Sequence, residues 1–416
     1  MKYGLIGAKL SHSFSKEIHG HFFDYPYELL ELSLEQLDVF LRERDFCAVN
    51  VTVPYKETVI PYLDEVDERA QAIGAVNTIV NRDGKLYGYN TDFDGLYALI
   101  RRNAIDLKDK KVLILGSGGT SKTAMAVARY VGCKEVLKVS RRAQKDCITY
   151  EQARENHTDT QVIINTTPCG MYPNGGVSPI DLTAFSHLEN VVDVVYNPLR
   201  TKLVCDARRR NIPAVGGLYM LIAQAVAAAQ HFVGTVVPQE RVEELYRRMM
   251  AEENVVLIGM PASGKSTVGK RLAEMMERPF LDTDALIVEK CGKSIPDLFA
   301  QTGEGGFRAM ETEIIREVSC KKGYVIATGG GAVLHSDNTE RLRENGRIYF
   351  MDRSLDLLTA TADRPLSSTT AELQKRYDER YPIYCAVCDM RIEADASVDD
   401  VAKRIREDFL YEHFGD

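Results

Sequence analysis

The sequence predicts an α/β protein in which parallel sheets are covered by helices. Short apolar strands alternate with amphipathic helices along the chain, which is typical of this class. A strand, a glycine turn and a helix also follow one another twice, first from Lys111 and again from Asn254. With 416 residues the chain is too long for one ordinary core, so we expect at least two domains. The two glycine turns differ in kind, which indicates a fusion and not a duplication.

The composition excludes several classes of function. The formal net charge is −8, whereas a general nucleic-acid binder needs a basic face. Nine cysteines in a chain of this length indicate free thiols in a reducing cytosol. The longest apolar stretch, 217–233, is too short and too polar to span a membrane. Residues 1–7 look like a first strand and not a signal peptide. We therefore expect a cytoplasmic protein that binds neither nucleic acid nor membrane.

The first half of the chain contains eight predicted strands. Apolar runs place them at residues 3–6, 48–53, 75–80, 85–89, 111–115, 135–139, 162–165 and 191–195. Asp83-Gly84 predicts a hairpin turn between the third and the fourth. An alanine-rich helix is predicted at 121–131, so the strands on either side of it form a βαβ unit.

The first glycine turn predicts a dinucleotide site. Gly116-Ser117-Gly118-Gly119-Thr120 joins a strand to a helix, although Ser121 stands where the strict GxGxxG spacing has its third glycine. The next strand ends in Ser140-Arg141-Arg142, with Lys145 just after. An acid at this point would hold a free ribose 2′-hydroxyl, so a basic cluster favours a 2′-phosphate and hence NADP. A solvated charge run is the alternative.

Polar residues before this turn predict acid–base chemistry. Lys56 and Asp92 each follow a predicted strand, and a lysine held by an aspartate can protonate an alkoxide formed by hydride addition. Each residue alone would be an ordinary surface residue.

A longer ordered set of motifs resembles the shikimate dehydrogenase family, over residues 2–233. The motifs are Ser13-x-Ser15, Asn50-x-Thr52-x-Pro54-x-Lys56, Gly74-x-x-Asn77-Thr78, Asn90-Thr91-Asp92, Asn165-Thr166-Thr167, Asp193-x-x-Tyr196-x-Pro198 and Gly217-x-x-Met220-Leu221-x-x-Gln224. The resemblance implies that Lys56 and Asp92 are catalytic. It implies that shikimate is held by Ser13, Ser15, Thr52, Asn77, Asp92, Tyr196 and Gln224. For NADP(H), we assign Gly116, Ser117, Gly118, Gly119, Thr120, Ser140, Arg141, Lys145 and Gly217.

The second glycine turn predicts a phosphate-binding loop. Residues 259–266 fit G-x-x-x-x-G-K-[ST] completely and lie between a strand and a helix. In such a loop, backbone N–H groups surround phosphate oxygens, Lys265 reaches the β- and γ-phosphates and Ser266 holds Mg²⁺. We assign ATP binding to Ala262, Ser263, Gly264, Lys265, Ser266 and Thr267.

Two carboxylates follow this loop, Asp282 and Asp284. Two residues apart on one strand, they are predicted to face the same side, with Asp282 at the Mg²⁺ and Asp284 at a substrate hydroxyl. A solvated turn is the alternative. Arg308 is predicted to follow a Gly-Gly-Phe turn, and Gly329-Gly330-Gly331 to expose backbone N–H groups to a ligand.

Together these residues resemble the shikimate kinase family, from Asn254 to about Phe409. The specific motifs are Asp282-x-Asp284, Gly306-Phe307-Arg308 with Glu311, Gly329-Gly330-Gly331, Arg364-Pro365-Leu366 and Arg380-x-Pro382-x-Tyr384. The resemblance implies that Asp284, Arg308, Gly330 and Arg380 contact shikimate, that Asp284 and Lys265 are catalytic, and that Arg364 closes over the phosphates. The lid approach, 359–363, lacks the basic residue usual in the family, which predicts weak adenine binding.

The two resemblances name consecutive steps of one pathway. They imply NADPH-dependent reduction of 3-dehydroshikimate, followed by 3-phosphorylation of shikimate with Mg·ATP. A split substrate domain is predicted at 1–94 and 218–237, a Rossmann-like NADP domain at 95–217, a linker at 238–252 and a phosphate-loop kinase domain at 253–416. The alternatives are a quinate/shikimate dehydrogenase joined to a related small-metabolite kinase, and a regulator that binds metabolites without turnover. Homodimer formation is left open.

Overall fold

The chain folds into two compact units. The computed structural model describes residues 2–10, 13–142, 146–358 and 370–415. The first unit runs to Met171 and includes Val177–Asn197 and Leu203–Tyr246, while the second contains Tyr172–Gly176, Pro198–Lys202 and the chain from Arg247 onward. The second unit therefore includes two short segments that precede its main part in sequence. The domain limits drawn from the sequence stay predictions.

A mixed six-stranded sheet begins the first unit. Its elements are β1 (Tyr3–Gly7), α1 (Ser15–Phe22), β2 (Tyr27–Glu31), α2 (Leu34–Glu43), β3 (Ala48–Val51), β4 (Glu65–Val66), α3 (Glu68–Ile73), β5 (Thr78–Arg82), β6 (Lys85–Tyr89) and α4 (Asp92–Arg102). The strand order is β2-β1-β3-β5-β6-β4, with β5 antiparallel to β3 and β6. The predicted hairpin turn is confirmed, because Asp83 and Gly84 both have positive φ (52° and 84°), as a two-residue hairpin turn requires.

A second, parallel sheet completes the first unit. Its elements are β7 (Lys111–Leu115), α5 (Gly119–Tyr130), β8 (Glu135–Ser140), β9 (Cys147–Thr149), α6 (Tyr150–Asn156), β10 (Val162–Asn165), β11 (Asn190–Asp193), α7 (Lys202–Arg209) and β12 (Ala214–Val215), in the order β12-β11-β10-β7-β8-β9. Two helices follow, α8 (Leu218–Val233) and α9 (Gln239–Met250). Helix α8 packs against α4 and α1, so it returns to the elements of the first sheet.

The second unit contains a five-stranded parallel sheet. Its elements are β13 (Asn254–Ile258), α10 (Lys265–Met276), β14 (Phe280–Asp282), α11 (Thr283–Cys291), α12 (Ile295–Ser319), β15 (Val325–Ala327), α13 (Ser336–Glu344), β16 (Gly346–Asp352), α14 (Thr370–Val387), β17 (Met390–Glu393) and α15 (Val398–Phe414). The order is β14-β15-β13-β16-β17. Every residue of β13 is buried, as expected for a central strand covered on both faces.

The predicted α/β class is confirmed, but several local predictions were wrong. The strand predicted at 48–53 ends at Val51, and the one predicted at 75–80 begins only at Thr78. Residues 238–252, predicted as a linker, contain helix α9 over most of their length, and their role as a linker stays a prediction. Gly306 and Phe307 do not form a turn, since they lie inside α12, where the only non-helical backbone is at Gly303 (φ 68°, ψ 179°). Within the described residues, no helix is long and apolar enough to cross a membrane.

A buried carboxylate ties the start of β13 to the rest of the second unit. Glu253 is 1% exposed and forms an ion pair with Arg200, of the segment Pro198–Lys202, and a hydrogen bond of 2.9 Å with His413 Nε2. Burial alone would raise the pKa of Glu253, but the Arg200 guanidinium and the hydrogen bond to His413 bring this pKa down to about 2. The Glu253 carboxylate is therefore ionised in the folded protein, and the Arg200 guanidinium stabilises its negative charge.

Replacing Arg200 by Met should destabilise the second unit by about 3–5 kcal/mol, because Glu253 would keep its charge in the interior without its main partner. Pulse proteolysis in urea, with the cleaved peptides assigned to the second unit by mass spectrometry, measures the effect. We expect the midpoint to fall by about 1–2 M urea. Arg316→Met is the control, since its ion pair with Asp337 is 3.5 Å long and Arg316 is 52% exposed. Equal midpoints for the two variants would contradict this role of Arg200.

Two candidate active sites

The first site is centred on an ion pair between Lys56 and Asp92. Lys56 lies in the turn after β3, and Asp92 is the first residue of α4. Lys56 Nζ is 2.5 Å from Asp92 Oδ2, and the two side chains are only 12% and 8% exposed. The N-terminal end of α4 also favours a negative charge at Asp92. The structure thus brings together the two residues that the sequence predicts as a pair, and holds the ammonium in a sheltered position.

A buried amide joins this pair to helix α8. Asn77 Nδ2 lies 3.0 Å from Asp92 Oδ1, 3.1 Å from Thr91 Oγ1 and 3.2 Å from Gln224 Oε1. An amide nitrogen carries only two hydrogens, so it cannot serve all three acceptors at once. Asn77 Oδ1 accepts from the Thr91 N–H at 2.7 Å, which fixes the orientation of the amide. Asn77, Asp92 and Gln224, all predicted to bind substrate, therefore share one network.

The remaining predicted substrate residues, Ser13, Ser15, Thr52 and Tyr196, all carry hydroxyl groups. Ser13 Oγ donates to Ser15 Oγ at 3.1 Å at the start of α1, and the ring of Phe14 lies 5.3 Å from that of Tyr196. Burial raises the pKa of Tyr196, so its phenol is neutral and can donate a hydrogen bond at neutral pH. Thr52 follows β3 directly, and its backbone N–H bonds to Ile6 O at 2.9 Å.

The first glycine turn leaves open space at the start of α5. Gly116 has φ of 121°, and a Cβ there would lie 2.6 Å from Thr166 Oγ1. Gly118 precedes α5 without any side-chain cap, and nothing lies within 4 Å of where its Cβ would be. The first N–H groups of α5 can therefore receive a phosphate, with Ser117 and Thr120 at least partly exposed beside them.

The predicted 2′-phosphate residues lie at the end of β8. Ser140 donates a hydrogen bond to the Arg142 carbonyl, and Arg141 is exposed. Lys145 lies outside the described residues. At Gly217 a Cβ would lie 2.1 Å from Val194 O, so packing alone already requires glycine there. Its contact with a cofactor stays a prediction.

The second site begins with the phosphate-binding loop between β13 and α10. The loop turns through Gly259 (φ 149°), Ala262 (φ 65°) and Gly264 (φ 90°). Lys265 is 7% exposed, and its Nζ donates to Gly259 O at 3.0 Å and to Met260 O at 2.7 Å. The Lys265 ammonium is therefore held by backbone carbonyls of the phosphate-binding loop itself.

The two carboxylates do not share a strand face, contrary to the sequence prediction. Strand β14 ends at Asp282, and Asp284 already belongs to α11. Asp282 instead caps this helix, because its Oδ1 accepts from Asp284 N–H at 3.0 Å and Ala285 N–H at 3.2 Å. Its other oxygen, Oδ2, lies 2.5 Å from Ser266 Oγ. The strand-based reasoning failed because the chain turns into a helix one residue after Asp282.

Three glycines lie where the charged side chains of this site meet. A Cβ at Gly329 would lie 2.5 Å from Asp284 Oδ1 and 2.7 Å from Glu311 Oε1. One at Gly330 would lie 2.8 Å from Pro261 of the phosphate loop, and one at Gly331 only 2.1 Å from Arg308 Nη1. The run after β15 therefore brings Asp284, Arg308 and the phosphate loop around one backbone segment.

The two predicted arginines are held by partners around this segment. Arg308 Nη1 is 2.8 Å from Glu311 Oε2, and Arg380 Nη1 donates to Gly330 O at 3.2 Å. Glu311 is fully buried; burial raises its pKa despite the opposing effect of Arg308, and its Oε1 has no hydrogen-bond partner among the described residues. Glu311 Oε2 therefore holds the Arg308 guanidinium in one orientation, while the second carboxylate oxygen of Glu311 makes no such contact within the part of the chain that the structure describes.

Two further residues that shape this site were not assigned a role from the sequence. Thr283 Oγ1 accepts from the Gly329 N–H at 3.0 Å, and Tyr384 OH donates to Gly330 O at 2.5 Å. Tyr384 belongs to a motif already noted, but a threonine between two aspartates gives no signal that it anchors a distant glycine.

The oxygen ligands of the second site suit Mg²⁺. Ser266 Oγ and Asp282 Oδ2 are neighbouring hard donors beside a phosphate loop, and Mg²⁺ usually takes one or two protein oxygens together with phosphates and waters. A cavity of about 350 Å³ also adjoins α10, lined by Ser266, Thr267, Lys270, Arg271, Glu274 and Val398. Arg364 and the lid approach lie outside the described residues.

Two family models match the chain. Residues 5–79 match the model of the shikimate dehydrogenase substrate binding domain, and residues 261–409 match the shikimate kinase model. The matches include Lys56 and Asn77 in the first region and Lys265, Asp284, Arg308 and Arg380 in the second.

Similar proteins align with the first part of the chain. The shikimate dehydrogenase (NADP(+)) of Clostridium beijerinckii is 38% identical over 245 residues, which are 55% of this chain and 90% of that relative. A crystal structure of shikimate dehydrogenase 1 from Peptoclostridium difficile is 34% identical, with a TM-score of 0.56, over 60% of this chain and 98% of that one. The structure of the Thermus thermophilus shikimate 5-dehydrogenase in complex with NADP(H) and shikimate is 30% identical, with a TM-score of 0.54, over 60% and 99%.

Replacing Gly329 by Ala should lower the stability of the second unit and displace Asp284, because the new methyl group would lie within 3 Å of two carboxylate oxygens. Gly305→Ala is the matched control: it lies within α12, and nothing lies within 4 Å of its added Cβ. We expect the free energy of unfolding of the second unit, obtained from its urea midpoint, to fall for Gly329→Ala by about 1 kcal/mol or more. For Gly305→Ala it should stay or rise slightly. A Gly329→Ala variant as stable as Gly305→Ala would show that this packing is not tight.

Proposed function

Because the chain belongs to the shikimate dehydrogenase family through its first part and carries a shikimate kinase domain in its second, we propose that it catalyses two consecutive reactions. The first unit reduces 3-dehydroshikimate to shikimate with NADPH, and the second phosphorylates the 3-hydroxyl of shikimate with Mg·ATP. The observation that carries the proposal is that each unit holds chemical groups suited to one of the two reactions, with Lys56 and Asp92 in one and the phosphate loop, Asp284 and two arginines in the other.

In the first site, Lys56 is the proton donor. NADPH supplies a hydride to the carbonyl carbon when it is bound at the Gly116–Gly119 turn. The Lys56 ammonium then gives a proton to the substrate oxygen, and Asp92 at 2.5 Å orients this ammonium and stabilises its charge. Asn77 and Gln224 border the same carboxylate and can bind substrate hydroxyls. The low exposure of the pair excludes water from the proton transfer.

In the second site, Asp284 orients or deprotonates the 3-hydroxyl of shikimate. Arg308 and Arg380 bind the carboxylate of the substrate, a task for which the planar guanidinium is well suited. Mg·ATP supplies the phosphoryl group, and Ser266 with Asp282 would hold the metal ion. Lys265 exchanges the loop carbonyls for phosphate oxygens, so the groups that hold it in the free enzyme preserve its position for the reaction.

The nucleotide would extend from the phosphate loop along α10. The cavity there is lined by Thr267, Lys270, Arg271 and Val398 among others, which offer two cations and one apolar side chain to a ribose and base. The weak adenine binding expected from the lid sequence stays a prediction. We also propose a cytoplasmic location, supported by nine free cysteines and by the use of NADPH and ATP. Whether the chain forms a homodimer stays a prediction that light scattering can test.

Substitution of one lysine in each site should separate the two activities. Lys56→Met should lower the rate of NADPH oxidation by about 10²–10⁴-fold and leave phosphorylation of added shikimate unchanged. Lys265→Met should do the reverse, because the phosphoryl group loses its main positive charge in the transition state. Loss of both activities in either variant would contradict two separate sites. If the wild-type protein oxidises quinate as efficiently as shikimate, the quinate alternative is favoured.

Replacing Arg141 by Asp should shift the cofactor preference from NADPH toward NADH. The exposed guanidinium would meet the 2′-phosphate, whereas a carboxylate repels a phosphate and suits a free hydroxyl. The ratio of kcat/KM for the two cofactors measures the change, with Arg129→Asp on α5 as the control. An unchanged ratio would remove Arg141 from the cofactor site.

A further inference from the structure

Two residues next to the catalytic pair bond to adjoining positions of helix α5. Glu57 directly follows Lys56, and its Oε2 lies 2.7 Å from Lys122 Nζ. Asn90 precedes Asp92 by two residues, and its Nδ2 lies 3.3 Å from Thr123 Oγ1. Each member of the pair is thus connected, through a neighbour in sequence, to the helix that follows the cofactor turn.

The Asn90 side chain makes three hydrogen bonds, and one of them is to the first turn of α4. Its Nδ2 donates to Ala75 O at 2.8 Å as well as to Thr123, and its Oδ1 accepts from the Phe93 N–H at 3.2 Å. Asn90 is 3% exposed and Thr123 is fully buried. The Asn90 amide therefore connects the first turn of α4, where Asp92 lies, to α5 in an interior from which water is excluded.

The stem of Lys56 also meets the cofactor turn itself. A Cβ placed at Gly119 would lie 3.5 Å from Lys56 Cβ and 3.6 Å from Lys56 Cδ, which is ordinary van der Waals contact. The Gly119 position therefore lies next to the aliphatic stem of Lys56. A shift of α5 relative to β3 and α4 would therefore change the position of the Lys56 ammonium.

We propose that Asn90 with Thr123, and more weakly Glu57 with Lys122, are positioning residues for the reduction. They set the distance between the proton donor and the glycine turn. The inference rests on the proposed dehydrogenase function. Misplacement of a reacting group by about 1 Å can reduce a rate by about 10²-fold, so small shifts of α5 are sufficient. The Glu57 and Lys122 side chains are 47% and 35% exposed, so this second contact is the weaker one.

The test compares Thr123→Val with Thr123→Ser in the full-length protein. Valine keeps the shape but removes the hydroxyl that Asn90 contacts, while serine keeps the hydroxyl. We measure the single-turnover rate of NADPH oxidation and the KM for 3-dehydroshikimate. We expect the valine variant to lose about 10-fold or more in rate with KM changed less than about twofold, and the serine variant to keep a rate near that of the wild type.

Thr160→Val is the matched control. Thr160 is also fully buried, but its hydroxyl donates to His157 O at 2.7 Å in a turn before β10. The single-turnover rate of NADPH oxidation by the Thr160→Val variant should equal that of the wild type. Equal rates for the valine and serine variants of Thr123, or a rise in KM at an unchanged rate, would overturn the proposal.

Glu57→Gln and Lys122→Gln provide a second test that does not alter the interior. Each should lower the single-turnover rate about threefold, and the double variant should be no slower than the single ones, because both remove the same contact. Additive losses, or none, would remove Glu57 and Lys122 from the proposal. A wild-type protein that does not reduce 3-dehydroshikimate would instead refute the proposed function, so the two failures are distinguishable.

Discussion

The close approach of glycine backbone to charged side chains is the constraint on which both sites depend. In the first unit, Gly119 lies against the stem of Lys56. In the second, Gly329 and Gly331 leave room for Asp284, Glu311 and Arg308, and a Cβ at either position would fall within 3 Å of them. Parallel strands of β7 and of β13 and β15 deliver these turns to the carboxyl edge of each sheet, where ligands of open α/β sheets bind.

Charge placement in the two sites follows different physical solutions. The Lys56 and Asp92 side chains form a close ion pair in a sheltered position. In the second unit Glu311 is buried, has a raised pKa and accepts from Arg308 through one oxygen only. This contact and a longer one of 3.3 Å to Glu304 Oε1 hold the Arg308 guanidinium in place. Asp282 has two contacts, because one oxygen caps α11 and the other accepts from Ser266 at the end of the phosphate loop.

Much of this could be predicted from sequence, because the informative features are local. The apolar run before Gly116 and the complete phosphate-loop motif predict strand, turn and helix, and Asp83-Gly84 predicts a hairpin turn that the backbone adopts. Lys56 and Asp92 were paired through the family resemblance and are in contact. The placement of Asp284 was wrong, since spacing of two residues indicates a common face only while the strand continues. Gly305, Gly306 and Phe307 were predicted to form a turn before Arg308, but they lie in α12.

Long-range contacts could not be predicted in this way. The bonds of Asn90 to Thr123 and of Arg200 to Glu253 join residues 33 and 53 positions apart, and no local pattern indicates either partner. The central claim is that one chain carries out both reactions. Full-length protein supplied with 3-dehydroshikimate, NADPH and Mg·ATP tests it directly, by following NADP⁺, ADP and the phosphorylated product together. The account predicts that shikimate 3-phosphate forms, with one NADP⁺ and one ADP for each molecule. ADP formation that does not require 3-dehydroshikimate reduction, or NADPH oxidation without phosphorylated product, would contradict it.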